Sequence, residues 1–463
     1  MQEEISDTRL LGKLRRILSS HPKERKLAKS TFYCGSRIIP QPMQTPAVFV
    51  LSNGTTAKFH GQMSCKSAWI CPVCTAKIMA KHAANIAIAL DMLKEKGQLA
   101  CMITFTIPHT SGMSCEETTE ILYNTWKDFT VHGNKNQHAK FYLRRTGKMK
   151  VSDKKSKDPF ASFCEHFNCK HRVRVCEYTY GENGWHPHFH CLFWVDKSKF
   201  KDLNEWQYTL NKRWYELAKR KTIQQWNKKL TKLGKAADIT EDVRKGVERA
   251  KQKNATRAQI MYSKLSDGSL GVYISKDKEG RPIVQKSSMY ICGWGADREL
   301  TGNYNEKATH DGHLTPKQIL ERATLEENDE YAKLYLEYIT AVRTKNHVRV
   351  NFSTRSGLRK MIEEYKQTNA YQIALKKNAM SNPNAGMRVV TWFNMYEWKV
   401  ICFTEQMKIY DLRAKILEFA VDADIGEIEK LLLEIGVDIR NKKRHPLEAA
   451  IEGMYDYRAA VAS

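Results

Sequence analysis

One stretch of this chain constrains its fold more than any other. Residues 172–180 read RVRVCEYTY and residues 186–194 read HPHFHCLFW. Both are rich in β-branched and aromatic residues, the composition of sheet strands. Between them lies Gly181-Glu182-Asn183-Gly184-Trp185. Asn-Gly is the preferred pair of a two-residue type I′ turn, so the segment predicts an antiparallel hairpin turning at Asn183-Gly184. Side chains alternate faces along a strand, so His188 and His190 point the same way, and His186 can join them. With that turn, Glu177 lies opposite His190 and Thr179 opposite His188. Two imidazoles and a carboxylate then meet on one sheet face, as a divalent-cation site requires. A slip of one residue would carry Glu177 to the other face. Cys176 and Cys191 pair across this hairpin, away from the histidines, and read as core.

Such a set suits two chemistries. It can hold non-haem iron in an oxygenase, or Mg²⁺ or Mn²⁺ beside a phosphate. Charge favours the phosphate. Lys and Arg number 76 against 51 Asp and Glu, a formal net charge of +25. An excess of this size points to nucleic acid or an anionic surface as partner. It is uneven: residues 411–463 carry −3, which leaves +28 on residues 1–410. With 463 residues, 42% apolar, and a mean hydropathy of −0.56, the chain suits several domains with real cores. It has no apolar run long enough to span a membrane and no leader pattern at Met-Gln-Glu-Glu-Ile, so no membrane partner and a cytoplasmic location are expected. Its 12 cysteines are expected as thiols and metal ligands.

Local signals give an outline. Residues 1–75 read as irregular, polar and cysteine-rich. Met79, Ala83, Ile86, Leu90 and Leu93 have helical spacing, and Gly97 is a natural stop. A strand follows at Leu99–Ile107. Ser114 and Glu117 form a capping box for the next helix, with Leu122, Trp126 and Phe129 on its apolar side. Trp206, Leu210, Trp214 and Leu217 mark another helix. Residues 219–257 are strongly basic and helix-compatible, suited to a DNA-contacting arm or an exposed solvated helix. A second hairpin is expected at Gly271–Val284. Residues 315–410 read as helical, with a strand at Val348–Phe352.

The His-hydrophobe-His core of GWHPHFHCLFW resembles the HUH endonucleases, and within them the rolling-circle replication initiators, or Rep proteins, of bacterial plasmids and phages. The resemblance spans roughly residues 65–360. Four further segments carry it: WICPVC (69–74), MITFTI (102–107), Glu177-Tyr-Thr, and SMYICGWGADRELTG (288–302) with LTPKQIL (314–320) after it. It implies that a tyrosine hydroxyl attacks a phosphodiester of single-stranded origin DNA, forming a 5′-phosphotyrosine and freeing a 3′-hydroxyl. Glu177, His188 and His190 would hold Mg²⁺ or Mn²⁺. The nucleophile implied by position is Tyr290, with Tyr273 as second choice. Many relatives carry lysine three residues after the tyrosine, where this chain has Gly293. Some carry glutamate four residues before it, where this chain has Lys286. Glu299 is a candidate to activate water at termination. A host replication helicase or polymerase is the expected protein partner. A relaxase or single-strand transposase is the rival within the class, and a non-catalytic, zinc-containing DNA-binding regulator the rival outside it.

Cys71-Pro-Val-Cys74 is a CxxC knuckle with Cys65 six residues earlier. Three thiolates need a fourth ligand for a closed zinc site; Cys34 is the first choice and His60 its rival. Cys164, His166, Cys169 and His171 form a second cluster. Near the C-terminus, ILEFA (416–420), GEIEKLL (426–432), GVDI (436–439) and HPLEAA (445–450) resemble one ankyrin repeat and the start of another. The expected fold class is α+β: an antiparallel sheet with flanking helices, a zinc-knuckle N-terminal region and a helical C-terminal part. Its expected divisions are 1–75 for the zinc region, 76–305 for the HUH nicking and ligating domain, 306–410 for a helical DNA-binding or accessory region, and 411–463 for the ankyrin-like tail.

Overall fold

The computed structural model describes residues 6–40, 46–131, 159–232, 258–261, 275–276, 282–283, 313–325, 329–344, 348–352, 357–368 and 386–460. In chain order the elements are helices α1 (Asp7–Ser19), α2 (Pro22–Leu27) and α3 (Lys29–Phe32), strands β1 (Ala47–Ser52) and β2 (Ala57–His60), helix α4 (Pro72–Glu95), strand β3 (Gln98–Phe105) and helices α5 (Cys115–Val131) and α6 (Pro159–His166). Strands β4 (Arg172–Gly181) and β5 (Gly184–Asp196), helix α7 (Leu203–Lys232) and short strands β6 (Ala258–Met261), β7 (Ser275–Lys276) and β8 (Pro282–Ile283) come next. After them run α8 (Pro316–Leu325), α9 (Asp329–Thr344), β9 (Val350–Phe352), α10 (Leu358–Tyr365), β10 (Arg388–Asn394), α11 (Met395–Met407), α12 (Leu412–Val421), α13 (Ile425–Leu433) and α14 (Glu448–Ala460). The fold is α+β, with antiparallel sheets flanked by helices. Among the described helices none is long and apolar enough to cross a membrane.

The chain divides into two units: Met1–Met79, Ile319–Ile339 and Glu364–Ser463 in one, Ala80–Gln318 and Thr340–Glu363 in the other. The second unit is built on a sheet ordered β6-β3-β5-β4-β9. Strand β5 lies between β3 and β4, so the histidine strand is internal. One face is covered by helices. Phe105 meets Trp126 and Phe129 of α5 and Trp214 of α7, and Phe189 meets Tyr123 and Trp126. Cys176 and Cys191 lie buried on this face. The opposite face carries the histidines and Phe352, whose ring meets His82 of α4. The capping box of α5 forms as read: Ser114 N donates to Glu117 Oε2 at 2.8 Å, and Glu117 N to Ser114 Oγ at 3.2 Å.

The first unit corrects the reading of residues 1–75 as irregular. Leu10, Leu11, Leu14 and Leu18 recur at helical spacing and are buried along α1, whose N-cap is Ser6, accepting from Arg9 N. That signal was present but sits among many charged residues. Strand β1 is buried along its whole length and is the middle strand of a sheet ordered β10-β1-β2. Its partner β10 lies in the stretch read as helical. Val48 and Val50 face one core with Phe393, Trp398, Ile416 and Leu432; Phe49 and Leu51 face another with Met387 and Ile451. A strand buried on both faces shows no alternation, so its pattern does not separate it from a buried helix. The C-terminal helices α12 to α14 therefore complete the core of this unit.

Candidate functional site

The hairpin forms, with a register different from the expected one. Glu182 and Asn183 make the turn, and Gly181 pairs with Gly184. Gly184 takes φ +82°, while neither turn residue has positive φ. The Asn-Gly pair thus gives a turn followed by a left-handed glycine instead of a type I′ turn. A Cβ on Gly184 would lie 3.0 Å from Ser111 Cα, so the loop after β3 also needs glycine here. Glu177 consequently faces His188, Val175 faces His190, and Thr179 faces His186. Cys176 faces Phe189 and Cys191 faces Arg174, so the two cysteines are core but not a pair. The difference from expectation is two residues. Because side chains repeat every two residues, the carboxylate stays on the histidine face.

The structure brings Glu177, His188 and His190 together. Glu177 Oε2 lies 3.4 Å from each Nε2, and the two Nε2 atoms are 3.1 Å apart. A triangle of that size suits a small cation about 2.1 Å from each atom. Glu177 is 6% exposed. Burial alone would raise its carboxyl, but His190 and His188 beside it hold it well below the usual carboxylate range. The outward-facing ring nitrogens are placed too. His188 Nδ1 lies 3.4 Å from the His186 carbonyl oxygen, and His190 Nδ1 lies 2.9 Å from Thr104 Oγ1. Both Nε2 atoms are left for the carboxylate side, as a cation site needs.

Sequence reasoning passed over the surrounding imidazoles and Thr104. His109, on the loop after β3, packs on the His186 ring with centroids 4.5 Å apart. Burial pushes it below the ordinary histidine value. His313 packs against the Gly181 backbone. The available signal for Thr104 was a hydroxyl in the otherwise apolar run LACMITF. Tyr290, Tyr273, Lys286, Gly293 and Glu299, with most of the basic stretch 219–257, lie outside the described residues.

A second set is formed by thiols. Cys34, Cys65, Cys71 and Cys74 converge, with their sulfurs all within 4.8 Å of one another. Cys74 Sγ is 3.5 Å from Cys34 Sγ and from Cys65 Sγ, against about 3.8 Å for four sulfurs around zinc. Hydrogen bonds from Cys65 and Cys71 draw the Cys34 thiol below its ordinary value. His60 is not in the cluster; it lies on β2, its ring near Phe49. The Cys164, His166, Cys169 and His171 group does not converge on a common point. Cys169 Sγ donates to the Trp194 carbonyl oxygen instead, and the His166 ring packs on Trp206.

Two curated proteins resemble parts of this chain. Over 149 residues it is 28% identical to the neomycin resistance protein of Streptomyces cyanogenus, covering 32% of this chain and 34% of that protein. Over 146 residues it is 29% identical to a Streptomyces lividans protein, covering 30% and 31%. That second relative is named Protein rep. The chain thus spans about a third of the length of each. No family model matches the chain, and no solved structure matches it.

Proposed function

We propose that this chain is a rolling-circle replication initiator of the HUH endonuclease class, which nicks and rejoins one DNA strand at an origin in a bacterial cytoplasm. The observation that carries the reading is the convergence of Glu177, His188 and His190 on adjacent strands of one sheet face. The partial similarity to Protein rep of Streptomyces lividans and the +25 charge support it. A bound Mg²⁺ or Mn²⁺ would withdraw charge from the scissile phosphate. Glu177, His188 and His190 would hold that ion. Tyr290 would supply the attacking hydroxyl. Its oxygen bonds to phosphorus, the bond to the 3′ oxygen breaks, and the proton ends on the freed 3′-hydroxyl. Energy stored in the phosphotyrosine would let the strand be rejoined without ATP. In this reading the four thiols hold a structural zinc, residues 306–410 serve DNA binding or an accessory role, and a host helicase or polymerase joins afterwards.

Labelled single-stranded origin DNA, incubated with purified protein and Mn²⁺, tests this on denaturing protein gels. A covalent adduct in the wild type, lost in Tyr290→Phe and kept in Tyr273→Phe, is the expected result. Loss only in Tyr273→Phe would keep the reaction and move the nucleophile. Tight DNA binding with no adduct on any strand would favour the non-catalytic regulator.

A further inference from the structure

Strand β3 is almost wholly apolar and buried, yet it places one hydroxyl against the imidazoles. Thr104 is 9% exposed and pairs directly with His190 across the β3–β5 ladder. The register therefore sets its 2.9 Å approach to His190 Nδ1. An imidazole can bind a cation through Nε2 only when its proton sits on Nδ1, and that N–H needs an acceptor. His188 has a main-chain carbonyl for this purpose. For His190 the acceptor is a side chain, which substitution can remove.

We propose that Thr104 is a positioning residue for this site: its hydroxyl accepts from His190 Nδ1–H, turns the Nε2 lone pair toward Glu177, and so sets affinity for a divalent cation. The inference rests on the metal reading of Glu177, His188 and His190 and adds the group that tunes it. Threonine suits the place. A β-branched side chain is stiff at χ1 in a strand, so the oxygen is held where the ring needs it. Valine matches its shape without the acceptor, and serine keeps the acceptor without the methyl.

The test is Mn²⁺ titration of the zinc-loaded full chain, read as loss of the free-ion electron paramagnetic resonance signal, with thermal melts alongside. Thr104→Val is expected to bind Mn²⁺ about 10- to 100-fold more weakly, the usual cost of losing such an outer partner. Thr104→Ser is expected to stay close to wild type. Val binding as tightly as wild type would overturn the inference. So would Ser losing as much as Val, because packing would then be the cause. A wild type that binds no Mn²⁺ would overturn the metal reading itself, and this inference with it. Nitrogen-15 histidine spectra of the Mg²⁺-loaded wild type provide a check that needs no variant to fold. The His190 Nδ1–H is expected to be hydrogen-bonded and slow to exchange with water, and a freely exchanging one would overturn the proposal.

Discussion

Glu177 and His82 show how single side chains are shifted by what surrounds them. A buried carboxylate is costly unless partnered, and Glu177 has two imidazoles within 3.4 Å. His82 is the converse case. Its ring packs near Phe352, its Nδ1 is buried without a hydrogen-bond partner among the described residues, and burial, then Arg359, Lys81 and Arg349, lower it to about 4. An unfolded histidine titrates near 6.5. Between those values the unfolded chain takes up a proton that the folded chain refuses, so stability rises with pH across that window. The contribution is complete above about pH 6.5 and is lost as pH falls toward 4. Thermal melts at pH 7 and pH 5 should show a larger drop for wild type than for His82→Phe. Equal drops would rule His82 out as a source of acid sensitivity.

Helices α1, α11 and α12 meet through three buried charges. Arg15 of α1 and Arg413 of α12 both bond Glu405 of α11, the latter at 2.7 Å. Arg15 and Glu405 are fully buried and Arg413 is 2% exposed. Both guanidinium groups also donate to the Cys34 carbonyl oxygen, at 2.6 and 3.2 Å. The charge network thus fixes the main chain at one of the four thiols. Removing the shared carboxylate strands two buried cations. Glu405→Ala should cost about 3–5 kcal/mol, read as a lower urea midpoint. Replacing all three residues with apolar ones of similar volume should recover much of that loss. Helices such as α4, α5 and α7 were legible because 3.6-residue periodicity is written locally. Strands β1 and β10 were not, because residues 47–52 and 388–394 gain their identity only by pairing with each other.

Across the whole molecule, the thiol cluster and the buried charge network both fall in the first unit. The four thiols join residues 34 to 74 within the first unit, and the cysteine core includes Leu11 of α1. A structural zinc site contributes directly to folding. Treatment with a strong chelator should release about one zinc per chain and lower the first thermal transition, with Cys71→Ser showing the same shift without chelator. A chain isolated without zinc and melting unchanged would argue that the thiols are simple core.

Local geometry was legible in the sequence: a hairpin over 172–194, His188 and His190 on one face with Glu177, the capping box at Ser114, and a CxxC pair needing further ligands. Each follows from a two- or 3.6-residue period, or from the bonding reach of neighbouring residues, and needs no distant partner. Tertiary structure alone decided the rest. It chose Glu182-Asn183 as the turn, with Gly184 set close against Ser111. It set Thr104 beside His190 from 86 positions away, brought Cys34 to the knuckle in place of His60, and closed β1 onto β10. Those contacts join residues far apart in the chain, and burial and packing select among alternatives that local spacing leaves equal.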